Sequence, residues 1–178
     1  MTTVELVVSL KIPDVTALTA GNAIRRRLGY DQVLKALTRA DYYRLDLDVD
    51  DRDAAEALTR EIAENTNLFV NPNKHIYELR FPEDRGANAN VDGEWLVNVL
   101  VTSPDDSSGE GIRGSLNGHL GYTQVIGVQT GVLWSMRIKA DSENEARKVA
   151  ESITVTRAQD QGILMNPHFQ EYEMWVGE

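Results

Sequence analysis

Leu28-Gly29-Tyr30-Asp31-Gln32-Val33 returns as Leu120-Gly121-Tyr122-Thr123-Gln124-Val125, and this recurrence decides how the rest of the chain is read. Downstream of each copy, Asn71-Pro72 with Tyr77-Glu78 returns in order as Asn166-Pro167 with Tyr172-Glu173. Upstream, the run Val4–Leu10 lines up with Trp95–Val101, and each run closes on Pro-Asp, at Pro13-Asp14 and Pro104-Asp105. The chain is therefore two copies of one unit: residues 1–81, a linker at 82–93, and residues 94–178. The linker carries one Pro, two Gly and two Asn, a composition that favours turns over a packed element.

Each copy reads alike at low resolution. Val4, Leu6, Val8 and Leu10 alternate, as do Val97, Val99 and Val101, which is the period of a half-buried strand. Ala20, Ile24 and Leu28 lie four apart, as do Ile112, Leu116 and Leu120, giving one apolar stripe on a short helix. Gly29 and Gly121 fall just past the stripe, where a left-handed cap needs a residue without Cβ. A short strand is expected around 33–37 and 125–128, followed by an alternating strand through Tyr43, Leu45, Leu47 and Val49 or Trp134, Met136, Ile138 and Ala140. Ser142 and Glu145 have capping-box spacing ahead of a helix with Ala146, Val149, Ala150 and Ile153 inward; Ala55, Leu58 and Ile62 are the counterparts. A last strand follows each Asn-Pro. The expected fold is α+β: two tandem β-α-β-β-α-β units, each a four-stranded antiparallel sheet with helices on one face, arranged as a pseudo-dimer.

Composition narrows the function. The 178 residues include 18 Lys and Arg against 28 Asp and Glu, a net charge of -10, and no cysteine. The negative excess repels phosphate backbones and anionic lipid, so neither nucleic acid nor membrane is an expected partner. Without cysteine there is no disulfide framework, zinc ribbon or thiol nucleophile, which suits a reducing cytoplasm. The start has no export signal pattern, and no apolar run approaches membrane-spanning length. Arg25-Arg26-Arg27 is the basic run, read as solvated residues that offset the dipole at a helix C-terminus. The second half is the more acidic, with 6 basic and 13 acidic residues from 91 onward against 12 and 15 before. Asp46 and Asp48 align with Arg137 and Lys139, so a twofold meeting of the long strands would set opposite charges face to face.

No catalytic centre is legible. Gly109-Glu110-Gly111-Ile112-Arg113-Gly114 matches the dinucleotide fingerprint G-x-G-x-x-G, but Pro104 precedes it, no acid follows at the required distance, and a flexible loop is expected there. His75, His119 and His168 have no second ligand at metal spacing. Serine-nucleophile, H-E-x-x-H and P-loop patterns are missing.

Taken in order, the Pro-Asp loop, short helix, Leu-Gly-Tyr, Ala140-Asp141-Ser142-Glu143-Asn144-Glu145-Ala146 and Asn166-Pro167 to Tyr172 resemble PurS, the small subunit of phosphoribosylformylglycinamidine (FGAM) synthase, here duplicated in tandem. Copy two keeps only Asp106-Ser107-Ser108-Gly109 of that family's Asp-Pro-x-Gly loop, copy one has lost it, and Val155–Met165 is four residues longer than Glu64–Val70. The resemblance implies a non-catalytic subunit that bridges a glutaminase subunit and a large synthase subunit and assists ammonia transfer in de novo purine biosynthesis. It implies no cofactor on this chain, with ATP, magnesium and glutamine used by the complex. Leu28, Gly29, Tyr30, Asn71, Pro72 and Tyr77, with Leu120, Gly121, Tyr122, Asn166, Pro167 and Tyr172, are the expected docking or structural signature, and further homo-oligomerisation is left open. Two other classes share the topology: an ACT-like module binding a small molecule, for which Gly109–Gly114 is the candidate loop, and a dimeric α+β barrel enzyme, which needs an enclosed pocket lined by a histidine.

Overall fold

A computed structural model describes residues 1–156 and 162–178. In chain order the elements are β1 (Thr2–Leu10), α1 (Val15–Arg27), β2 (Leu34–Leu47), α2 (Arg52–Asn65), β3 (His75–Arg80), β4 (Asn90–Val91), β5 (Glu94–Thr102), α3 (Ser107–Gly118), β6 (Val125–Lys139), α4 (Glu143–Thr154) and β7 (Glu171–Val176), with a 3-10 turn at Pro82–Asp84. Among the described residues four helices and an antiparallel sheet make the expected α+β class. The strand order is β3-β1-β2-β6-β5-β4, with β7 also on β5.

The two strands expected in the middle of each repeat are one. β2 and β6 run unbroken for 14 and 15 residues. Between Leu34 and Leu47 there is no Gly, Pro or Asn to build a hairpin. The apparent break is a change of buried face: Ala40 and Tyr42 are buried on one parity, Leu45 and Leu47 on the other.

That change of face marks where the strand passes from one compact unit into another. The first unit comprises residues 1–12, 40–83 and 105–131, and the second comprises 13–39, 84–104 and 132–178. Each takes its helices from both repeats. The first unit's core joins Val4, Leu6, Val8, Leu45, Ile62 and Phe69 of repeat one to Leu116 and Val125 of repeat two. The second joins Val97, Val99, Met136, Ile138 and Ile153 of repeat two to Ala17, Ile24 and Leu34 of repeat one. Among the described residues the first unit thus has four strand segments and two helices, and the second has two helices and the same four kinds of segment plus the short β4, with one helix and one strand segment of each unit drawn from the other repeat. The linker residues contribute the 3-10 turn and β4.

The caps follow the sequence. Asp51 Oδ1 accepts from Ala54 N–H at 2.8 Å at the start of α2, and Ser142 Oγ from Glu145 N–H at 3.2 Å at the start of α4. Glu145 reaches back, though to the Asp141 amide (2.9 Å) rather than that of Ser142. At the other ends of α1 and α3, Gly29 and Gly121 take φ of 77° and 78°. Tyr30 and Tyr122 then return their amides to Ile24 O (3.4 Å) and Leu116 O (2.9 Å). Leu-Gly-Tyr is a helix-ending device.

Two expectations are corrected. Gly109–Gly114 is not a flexible loop; it lies within α3, because Asp106 caps the helix through Gly109 N–H at 2.9 Å. An ACT-like glycine loop is therefore not present at this position. Gly111 and Gly114 have open space where a Cβ would sit. G111A and G114A should each stabilise the protein by about 0.5–1 kcal/mol in chemical denaturation, since glycine's unfolded-state freedom is removed at no steric cost. The opposed charges of the long strands do not meet either. Lys139 N–H donates to Val33 O in the second unit (2.9 Å), and Asp48 N–H to Gln124 O in the first (2.8 Å). This antiparallel register sets Asp46 level with Ile126 and Arg137 level with Lys35, so aligned residues end up at opposite ends. Asp46 accepts instead from Thr3 Oγ1 at 2.7 Å and Arg44 Nε at 3.3 Å.

Candidate functional site

In the first unit, α2 and the terminal strand β3 enclose an open groove of about 760 Å³ whose walls include Lys11, Arg60, Glu64, Pro72, His75 and Tyr77. Its floor is apolar, with Ala63 and Val70 buried. Its mouth is shaped by the Asn71-Pro72 turn. Asn71 Oδ1 accepts from Asn73 N–H at 3.0 Å, and the Asn71 carbonyl accepts from Lys74 and His75 N–H at 3.0 and 2.8 Å. Asn71 N–H donates to His75 Nδ1 at 3.1 Å. Lys11 Nζ donates to Pro72 O at 2.5 Å and ties the turn to β1.

The second unit repeats this turn. Asn166 Oδ1 accepts from His168 N–H at 3.0 Å, and Asn166 N–H donates to Gln170 Oε1 at 3.0 Å. Asn-Pro is therefore a side-chain-closed turn ahead of the last strand, with the acceptor four residues on: His75 in one copy, Gln170 in the other. That spacing is visible in the sequence and was the available signal for His75.

The groove's polar groups satisfy one another. Tyr77 OH donates to Glu64 Oε1 at 2.7 Å and lies 3.5 Å from Arg60 Nη1. Burial, then the bond to Glu64, pushes the Tyr77 phenol above its usual value. Arg60 bonds Glu56 at 2.8 Å, and that bond leads in raising its already high pKa. Tyr122 of repeat two comes to the same helix, its OH 3.2 Å from Glu61, and burial leads in raising its phenol too. The exchange of helices thus brings Tyr122 and Tyr77, from different repeats, onto α2. Beside them the outward face of α2 carries Asp53, Glu56, Glu61 and Glu64.

The other signature residues go elsewhere. Leu28 and Tyr30 pack against the second unit's core. Tyr172 is 38% exposed on β7, opposite Val101. Leu120 is exposed. Among the described residues no three His, Asp or Glu side chains are placed to hold a metal, and no helix is long and apolar enough to cross a membrane. Lys11, Arg60, Tyr77 and His75 are each engaged within the protein, and the groove is open where the barrel-enzyme alternative needs enclosure.

A family model described as PurS, phosphoribosylformylglycinamidine (FGAM) synthase, matches residues 97–178. Over those residues the chain is similar to the PurS family. No curated protein matches the chain. The PurS match starts within β5, runs through β7 and stops short of repeat one, which shares with it the Leu-Gly-Tyr cap, Asn-Pro turn and element order. The PurS-like repeat also retains Asp106 and Gly109, the two residues that start α3. At the matching cap of repeat one, Asp14 accepts from Thr16 and Ala17 N–H at 2.7 and 3.1 Å and pairs with Arg39 at 3.5 Å. The cap survives there without the glycine.

Proposed function

We propose that this protein is a non-catalytic assembly subunit of FGAM synthase that supplies in one chain the pair of PurS-like units the enzyme uses. The PurS match over residues 97–178 carries the reading and supports a role in purine biosynthesis. The exchanged cores support the pairing: each compact unit needs pieces of both repeats, so a single repeat is an incomplete body and the fusion provides its complement at high effective concentration. In this reading the chain bridges a glutaminase subunit and a large synthase subunit in the cytoplasm and holds a closed route for ammonia, which bulk water would otherwise protonate and disperse. It binds no cofactor itself; ATP, magnesium and glutamine belong to the complex. Docking falls to the α2–β3 groove with Asn71, Pro72 and Tyr77, together with Asn166, Pro167 and Tyr172 on the second unit.

The test is reconstitution with the glutaminase and large synthase subunits from the same source. Glutamine-dependent FGAM formation should require this chain, at one tandem chain per large subunit. Activity that is unchanged without it, or no co-elution with ATP and glutamine present, would overturn the proposal.

A further inference from the structure

The Asn-Pro turn is built twice from the same bonds, and the two copies differ in the chemistry of one acceptor. In the first unit the Asn71 carbonyl accepts from Lys74 and His75 N–H, and Asn71 Oδ1 accepts from Asn73 N–H. In the second the Asn166 carbonyl accepts from Phe169 and Gln170 N–H at 3.1 and 3.0 Å, and Asn166 Oδ1 from His168 N–H. The last bond closes each turn from the side chain four residues on. Asn71 N–H donates to His75 Nδ1 at 3.1 Å, and Asn166 N–H to Gln170 Oε1 at 3.0 Å. An amide oxygen keeps its lone pairs throughout the pH range in which proteins fold, whereas an imidazole nitrogen accepts only while it carries no proton. For His75 Nδ1 to accept, the ring must be neutral with its proton on Nε2. One turn is closed by a group that titrates and its counterpart by a group that does not.

We propose that His75 is a proton-operated latch on the Asn71-Pro72 turn: taking up a proton changes Nδ1 from acceptor to donor, sets two donors face to face and releases the Asn71 amide. The charged and titratable groups that share the groove with the ring are Lys11 after β1, Arg60 and Glu64 of α2, and Tyr77 and Glu78 of β3, with Lys74 adjoining it in the chain. Lys11 is held by Pro72 O, Arg60 by Glu56, Glu64 by Tyr77 and Glu78 by Arg80. These four charges are tied to partners of their own, while the ring is tied to the main chain of the turn. The opening is local, because the Asn73, Lys74 and His75 amides are accepted by oxygens of Asn71 itself and do not depend on the imidazole. Asn71 lies between Val70, buried in the first unit's core, and Pro72, whose carbonyl holds Lys11. The latch therefore sits where a fixed residue gives way to the groove mouth, and its release lets the Pro72 and Lys11 wall move. That this makes docking at Asn71, Pro72 and Tyr77 sensitive to acid rests on the docking reading above; the latch itself does not.

Nuclear magnetic resonance of the whole chain, without any partner, reads the latch directly, so its failure is distinct from a failure to dock. In mild base the His75 ring should carry its proton on Nε2. Between about pH 8 and about pH 5, a range that spans histidine titration, the protection of the Asn71 amide from water exchange, corrected for the intrinsic effect of pH, should fall about fivefold, as for the loss of one hydrogen bond. The Lys74 amide, beside the ring but accepted by Asn71 O, should keep its protection, which separates a lost bond from the field of a new charge. H75Q should keep the Asn71 amide protected across the whole range, as Gln170 does for Asn166. Q170H should transfer the acid response to the Asn166 amide. A His75 proton on Nδ1, an Asn71 amide equally protected in acid and base, an H75Q chain that responds like its parent, or a Q170H chain whose Asn166 amide is indifferent to acid would each overturn the proposal.

Discussion

Cut between Glu83 and Asp84, neither fragment should fold as a monomer, while the two mixed should recover the fold of the uncut chain. Residues 1–83 keep β1, α2 and β3 but lose Leu116 and Val125, both fully buried in that unit's core, with Ile112, Tyr122 and Val128 packed around them. Each of the two buried side chains contributes about 1.5–3 kcal/mol. Their loss, with the opened core beside them, is comparable to a small domain's whole stability of about 5–15 kcal/mol. Residues 84–178 likewise lose Ala17, Ile24 and Leu34. Far-UV circular dichroism of each fragment should lack a cooperative melt, and the equimolar mixture should regain one. A cooperative melt from residues 1–83 at low concentration would show that α3 is dispensable and the exchange decorative. Self-association of a lone fragment at high concentration is compatible with the exchange, because a second copy can supply the missing helix.

The point substitution expected to do most harm is G109A. A Cβ there would sit 2.4 Å from Val128 O and 2.5 Å from Asp106 Oδ2, and the first of these is backbone that cannot swing aside. Asp106 is the hub of the α3–β6 contact: it caps Gly109, and it accepts from Thr130 N–H at 2.6 Å and Thr130 Oγ1 at 2.7 Å. The added methyl pushes α3 away from β6 and breaks the hub, for a loss of about 2–4 kcal/mol in urea denaturation. G114A on the same helix should move the other way, so the pair separates steric approach from helix propensity. The Asp106 carboxyl also gives this contact a pH dependence. Burial alone would raise its pKa, but the bonds from Thr130 and Gly109 outweigh it and hold it below 3.8. Because the folded value lies below the unfolded one, the contribution is fully present above about pH 4 and is lost as acid titrates the group through its folded pKa. The difference in stability between the parent chain and D106N should shrink on going from pH 6 to pH 3. A difference that stays constant would mean that Asp106 acts by shape alone.

Much of this protein is written locally. Each apolar stripe, Asp or Ser cap and Gly29 or Gly121 stop depends on residues within a turn or two, so the helices and their ends could be read from spacing. The duplication and the Asn-Pro turns were legible for the same reason, and so were the residues that carry the family resemblance. The sequence also held the clue to the long strands, since Leu34–Leu47 has no Gly, Pro or Asn, while its buried positions change parity after Tyr42. What it could not say is which sheet a helix covers. The stripe on α1 demands burial but is nearly the same as the stripe on α3, and the two strand faces that receive them are both valine-rich. The choice falls to the unbroken β2 and β6, which carry the chain out of one compact unit and into the other. Only that tertiary crossing brings Tyr122 to the helix that holds Tyr77. Periodicity fixes that a face is buried; the path of the backbone fixes against what.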